Sequence, residues 1–331
     1  MRIGVYGGGN VGARALALKA KYLSETVPGA ELLMKPSDVK GHDVLLNFVI
    51  EEVPKFEASK RFSGYGQQVC LFCGNTIDYG DEELASLLVW LNKVHFIGQS
   101  PYHHDRIVSI VRRWFSPAVA RRMCNQLHRV YAAVPGMSLF GPGEADPYRW
   151  MIASNRVATH QKRIDLSFEV TKQASALVSM KHKETPRVDM LVADQEKARL
   201  KMDQVGWDAS HVSLLDAIPD REVYAEQVRK YGLFVSTSES ESFGNMALEL
   251  LLSGSVGVFM EAEWIRKLLP GYRYVASVRE MPSMIARVVE DYEAARKYVS
   301  DGVIPYIVER YSWAAFAQGV EDLSKRVNPR T

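Results

Sequence analysis

Residues 236–254 read STSESESFGNMALELLLSG and concentrate the chain's most telling chemistry. Two carboxylates, Glu241 and Glu249, stand eight positions apart around a Ser242-Phe243-Gly244-Asn245 turn that opens an apolar helix over residues 245–252. Glu249 falls about one helical turn past Asn245, so it shares the side on which the turn lies. The free amides of such a turn can hold a phosphate or a sugar hydroxyl, while Glu249 accepts hydrogen bonds from a ribose or hexose. An exposed acidic loop before an ordinary helix does not account for a glutamate inside the run from Met246 to Leu252.

Outward from this stretch, apolar runs bounded by turn residues alternate with helical patterns along the whole chain. Strands are expected at 1–6, 43–49, 68–72 and 93–98, and again at 150–153, 188–193, 211–215, 233–236 and 257–260. Helices are expected at 11–23, 83–92, 105–114 and 117–129, with residues 130–134 closing the first half. In the second half they are expected at 164–177, 196–205, 222–231 and 245–252. Strand, helix, strand in this order implies parallel, doubly wound sheets. Gly141, Pro142, Gly143 and Pro147 cluster without periodicity in residues 136–147, which marks a linker. A length of 331 residues suits two domains.

Two further segments point to phosphate. Gly7-Gly8-Gly9-Asn10-Val11-Gly12 follows a strand and precedes a helix, a loop whose glycines let the backbone approach a phosphate at a helix N-terminus. A dinucleotide site also wants an acidic residue at the end of the second strand, but Glu31-Leu32-Leu33-Met34-Lys35 ends on a lysine. That weakens a dehydrogenase and leaves an NADP-dependent oxidoreductase as the alternative. After the strand at 150–153 come Arg156, Lys162 and Arg163, cations at the carboxyl edge of a parallel sheet, where α/β folds bind ligands. Cys70 and Cys73 lack the partners of a zinc site or the helix start of a redox dithiol, and read as buried cysteines at a strand end.

Composition narrows the class. Apolar residues make up 47% and charged residues 24%, so a folded globular protein is expected. No apolar run approaches the length of a membrane-spanning helix, Met1 leads directly into a strand, and three cysteines supply no disulfide framework; a cytoplasmic protein is expected. The charge is unevenly placed. Arg106, Arg112, Arg113, Arg121, Arg122 and Arg129, with three histidines, face Asp105 alone between residues 101 and 130. Such a surface attracts polyanions: DNA or an anionic membrane surface both fit, and a small polar acceptor leaves these arginines merely solvated.

With these motifs in order, the sequence resembles the retaining GT-B glycosyltransferases of glycosyltransferase family 4, whose hallmark of Glu, seven residues, Glu is matched by Glu241 and Glu249. Asn155-Arg156 through Lys162 is similar to the family's Gly-Arg…Lys-Gly donor-diphosphate motif, with Asn155 in place of glycine and one residue inserted before the lysine. Both Lys162 and Arg163 stand as candidates for that lysine's role. Residues 188–194 resemble the strand leading to the family's Gly-Asp-Gly turn, without its glycines. Residues 212–219 with Asp220 are similar to the strand before the helix that precedes the hallmark. Residues 131–140 (YAAVPGMSLF) resemble the Asn-Gly-Val-Asp linker segment, and Arg310-Tyr311-Ser312-Trp313 the approach to the last helix.

The resemblance spans about residues 96–320. It implies two Rossmann-like doubly wound domains facing across a cleft: 1–145 on the acceptor side, 146–310 binding a nucleotide-sugar, and a last helix at 311–331 crossing back. It implies a metal-independent transfer with retention. Arg156 and Lys162 would stabilise the departing diphosphate. Glu241 with Ser242, Phe243, Gly244 and Asn245 would hold the donor sugar, Glu249 the ribose, and Gly8 and Gly9 the diphosphate from the other domain. A UDP-sugar is the first expectation, with GDP- and ADP-sugars as alternatives and no further cofactor. Leu248-Glu249-Leu250 followed by Gly254 also resembles phage enzymes that glucosylate hydroxymethylated bases in DNA, an acceptor that the arginines Arg106, Arg112, Arg113, Arg121 and Arg122 would suit.

Overall fold

The computed structural model describes residues 1–7, 14–48, 53–63, 67–71, 80–154, 160–192, 194–207 and 211–327. The chain forms two units, one of residues 1–135 with 310–331 and one of residues 136–309.

The first unit contains β1 (Ile3–Tyr6), α1 (Arg14–Thr26), β2 (Ala30–Leu33), β3 (Val44–Asn47), α2 (Val53–Ser63), β4 (Gln67–Leu71), α3 (Asp81–Leu88), β5 (His95–Ile97), α4 (Pro101–Trp114), α5 (Pro117–Asn125) and β6 (Leu127–His128). The strands pair in parallel in the order β2-β1-β3-β4-β5-β6. Both faces of this sheet are apolar, because alternate residues of a strand point to opposite sides. Ile3, Val5, Val44, Leu46 and Ile97 enter one core, while Tyr6 and Leu45 enter a second and Phe96 a third. Sheets buried on both sides need helices on both sides, which is the doubly wound arrangement the patterning predicts.

Two expectations in this unit shift. The helix at 117–129 ends at Asn125, since Leu127 and His128 pair with Phe96 and Ile97 to make the sixth strand. Residues 130–134 then leave the ladder: the Ala132 amide donates to the Gln99 carbonyl and the Val134 amide to the Tyr311 carbonyl. The glycine loop, with Gly8, Gly9 and Gly12, lies outside the described residues, as do Cys73 and the side chain of Cys70.

The second unit contains β7 (Asp146–Ile152), α6 (Ile164–His182), β8 (Arg187–Val192), α7 (Gln195–Gln204), β9 (Val212–Asp216), α8 (Arg221–Val228), β10 (Tyr231–Ser236), α9 (Asn245–Leu252), β11 (Val256–Met260), α10 (Glu263–Leu268), β12 (Val275–Ala276), α11 (Met281–Glu290), α12 (Tyr292–Tyr298) and all but the last two residues of α13 (Ile304–Tyr311). Its parallel strands run β12-β11-β10-β7-β8-β9. The Pro- and Gly-rich stretch expected to be a linker packs into this unit. Gly136 takes a left-handed conformation (φ 63°) to open a 3₁₀ turn, and Arg229 donates to the Leu139 carbonyl at 2.6 Å and Arg296 to that of Gly143. Polar backbone with no ladder of its own is satisfied by side chains of neighbouring helices.

The chain then returns to the first unit through α14 (Trp313–Val327), whose Phe316, Ala317, Val320, Leu323 and Val327 complete the core beneath Ile3, Val5 and Val44. Among the described residues no helix is long and apolar enough to cross a membrane.

Candidate functional site

In a doubly wound sheet, ligands sit outside the carboxyl ends of the strands at the point where the strand order reverses. In the second unit the chain steps from β7 outward through β8 and β9, then returns to place β10 on the other side of β7. The reversal therefore falls between β7 and β10. The two segments singled out in the sequence, the cations after β7 and the Ser/Glu-rich run after β10, both leave the sheet at that point.

They are joined there by a set of hydrogen bonds. The Thr237 hydroxyl donates to the carbonyls of Arg163 (2.8 Å) and Lys162 (3.2 Å), and lies 2.6 Å from the Ser167 hydroxyl. The Glu239 amide donates to the Gln161 carbonyl at 2.7 Å. Two ion pairs cross the same gap, Lys162 with Glu241 and Arg163 with Glu239. Lys162 and Glu241 are only 11% and 14% exposed, so their pairing is screened far less than a surface salt bridge. Arg163 sits at the start of α6 with φ 44°, a conformation that costs a non-glycine residue on the order of 1–3 kcal/mol and persists only when its surroundings enforce it. Here the Thr237 bond to its carbonyl is part of that enforcement.

Around this network lie polar atoms with nothing to bind. Among the described residues, the Ser154 hydroxyl after β7, the Ser238 hydroxyl after β10 and the Asn245 Oδ1 at the start of α9 are buried and without a partner. Buried hydroxyls and amides are almost always satisfied, so a ligand or water at this edge would complete these three, which are among ten such atoms in the described residues. The backbone beside them is fixed: the Trp264 indole donates to the Ser238 carbonyl at 2.7 Å. Gly244 holds φ 73°, and a side-chain carbon on it would come within 3.0 Å of Trp264. Phe243 is packed into the core and Ser242 is buried beside it. The turn is thus held rigidly from below.

Glu249, in the second turn of α9, is 4% exposed. Its Oε1 accepts from Arg221 at 2.8 Å and its Oε2 from the Tyr224 hydroxyl at 2.9 Å, both residues of α8. Burial, and then the neighbouring Glu249, push the Tyr224 hydroxyl well above its ordinary pKa, so it remains a donor. Arg221 and Tyr224 carry no signal in the sequence beyond their i, i+3 spacing; only the packing of α8 against α9 reveals them.

Arg156, like Asn155, lies outside the described residues, as do Gly8 and Gly9. In the first unit the strand order reverses between β1 and β3.

The basic helices occupy a different place. α4 leaves the carboxyl end of β5, and its 14 residues carry the chain about 20 Å to the opposite edge. Arg112 and Arg113 are in its last turn. Arg122 in α5 donates twice to Asn92, just ahead of β5, which puts α5 at the amino edge of the sheet. Asp81 faces Arg106 at 3.6 Å and Arg113 at 3.5 Å. Arg112 and Arg121 line a pocket of about 490 Å³ with Pro117, Ala120, Cys124 and Asn125. Asp81 therefore partly neutralises Arg106 and Arg113, while Arg112, Arg121 and Arg122 are gathered around α5, toward the edge away from the strand carboxyl ends.

The sequence matches no family model and no curated protein. Solved structures do match. HepE of Anabaena, determined with UDP-glucose, superposes with a TM-score of 0.72 at 12% identity over 98% of this chain and 100% of its own. The UDP-forming α,α-trehalose-phosphate synthase of Burkholderia xenovorans, determined with glucose-6-phosphate, gives 0.67 at 9% identity over 99% and 100%. TarM gives 0.65 at 15% identity over 94% of this chain, which spans 58% of TarM's length. Two parallel six-stranded α/β units, matched along their whole length to these structures, establish that the chain has the two-domain GT-B fold.

Proposed function

We propose that the chain is a retaining glycosyltransferase that moves a hexose from a nucleotide-diphosphate sugar to an acceptor hydroxyl. The observation that carries this reading is the network at the β7–β10 reversal: Lys162 and Arg163 stitched to Glu239 and Glu241 beside the unsatisfied Ser154, Ser238 and Asn245. Cations there suit a diphosphate, and carboxylate and hydroxyl groups suit a sugar. The UDP-glucose bound by HepE and the UDP formed by the trehalose-phosphate synthase support a UDP-sugar as donor.

In the proposed reaction the bond between the anomeric carbon and the diphosphate oxygen breaks, and a bond to the acceptor oxygen forms on the same face. The acceptor's proton leaves with the departing diphosphate. Lys162, with Arg156, offsets the charge that develops on that diphosphate, and Glu241 with the 242–245 turn holds the hexose. Glu249 holds the ribose.

DNA as the acceptor has Arg112 and Arg121 in its favour, and salt-dependent retention on DNA tests it. Their place at the amino edge gives that acceptor no direct route to the carboxyl edge of the same sheet. No neighbour named above favours an NADP-dependent oxidoreductase.

The test is a thermal-shift screen with UDP, GDP, ADP and their sugars, since a ligand of the folded state raises the midpoint by mass action. One nucleotide-sugar is expected to raise it, and donor turnover is expected to fall about 100-fold or more in Lys162→Ala, assayed well below that variant's own ligand-free midpoint, which loss of the partner of Glu241 lowers. No shift with any of these, or full turnover in the variant, overturns the reading.

A further inference from the structure

A glutamate inside the apolar run of α9 is a costly choice unless its oxygens are satisfied. Among the described residues Glu249 meets that condition through α8: Arg221 binds Oε1 and the Tyr224 hydroxyl binds Oε2. A carboxylate has about four lone-pair sites, so two internal donors leave room for two more.

The donors are themselves fixed. Asp220 caps α8 by accepting from the amides of Glu222 and Val223, which sets where Arg221 begins the helix. The Arg221 guanidinium lies over the rings of Phe140 and Tyr224, 5.2 Å from each, and those two rings meet edge-on. α8 leaves the carboxyl end of β9 and α9 that of β10, so the cluster lies on the ligand side of the sheet.

We propose that Arg221 and Tyr224 are positioning residues that hold the Glu249 carboxylate in one orientation for the ribose hydroxyls of the donor nucleotide. This rests on the reading of Glu249 as the ribose-binding group. Phe140, far away in sequence, acts by keeping Arg221 in place. Glu249 is not left to choose among rotamers when the nucleotide arrives, so binding loses less conformational freedom.

The test compares affinities of the full chain for UDP and 2′-deoxy-UDP, and likewise for GDP and ADP, by calorimetry. The wild type is expected to prefer the ribonucleotide by roughly tenfold or more, the range of a charge-assisted hydrogen bond. Tyr224→Phe, which keeps the ring and its packing on Phe140, and Arg221→Gln are each expected to shrink that preference several-fold. They should leave the deoxynucleotide affinity and kcat unchanged while donor KM rises. Arg221→Lys is expected to restore part of the preference.

A preference unchanged in Tyr224→Phe overturns the proposal while the ribose reading stands. A wild type that binds ribo- and deoxynucleotides equally, or binds none, removes the ribose reading and the proposal together. Should Arg221→Gln fail to fold, Tyr224→Phe decides alone.

Discussion

His103 shows what a single residue costs when it is buried for structure. It is fully buried in the first turn of α4, where its Nδ1 accepts from the Gln99 amide at 3.3 Å and its own amide donates to the Ser100 hydroxyl. Burial first, then Arg106 and His104, lower its pKa to about 3. A free histidine titrates near 6.5. Between those values the unfolded chain binds the proton and the folded chain does not, so stability rises with pH and is lost as the pH falls below about 6.5. The loss is about 1.4 kcal/mol per pH unit for this group alone. Denaturant midpoints measured from pH 7 to pH 5 should fall, and His103→Gln should fall less steeply; equal slopes would exclude this origin. Glu241 and Lys162 differ from His103 in kind. Their residue types and positions announced a site in the sequence, whereas the polar role of His103 depends on a loop amide that no spacing rule supplies.

At the scale of elements, the helix over 245–252 emerged with the predicted bounds because its signals are local: a left-handed glycine before it and an apolar run within it. β10 was legible only in part. The apolar run 233–236 marked its end, but the strand begins at Tyr231, where Gly232 lies against the backbone of Asp146 and Pro147 in β7. A side-chain carbon on Gly232 would stand 2.2 Å from the Asp146 carbonyl oxygen, and backbone cannot retreat as a side chain can. Gly232→Ala is therefore expected to destabilise the protein by about 1–3 kcal/mol, read as a lower urea midpoint. An unchanged midpoint would mean that β7 and β10 can part without cost. The sixth strand escaped the sequence for the same class of reason: Leu127 and His128 read as the end of a helix, and only pairing with β5 recruits them.

At the scale of the molecule, the first unit is built from both ends of the chain. Phe316, Val320 and Leu323 of α14 are almost wholly buried in its core. At about 1.5–3 kcal/mol for each buried side chain, these three contribute roughly 5–9 kcal/mol. That is comparable with the total stability of a typical domain, about 5–15 kcal/mol. A chain ending at Glu309 is expected to lose the cooperative unfolding of the first unit, seen as a missing transition in calorimetry. Retention of both transitions would show that α14 is dispensable.

The sequence by itself determined the alternation of strand and helix and the parallel doubly wound class, and it nominated Lys162, Glu241 and Glu249 as candidates, because periodicity and residue type are local properties. The tertiary structure alone decided three things: that Lys162 and Arg163 meet Glu241 and Glu239, that Glu249 is held by Arg221 and Tyr224, and that Arg122 of α5 binds Asn92 at the amino edge. Each depends on strand order. The return of β10 to the side of β7 brings residues nearly eighty positions apart within bonding distance, and no pattern confined to one segment encodes that reversal.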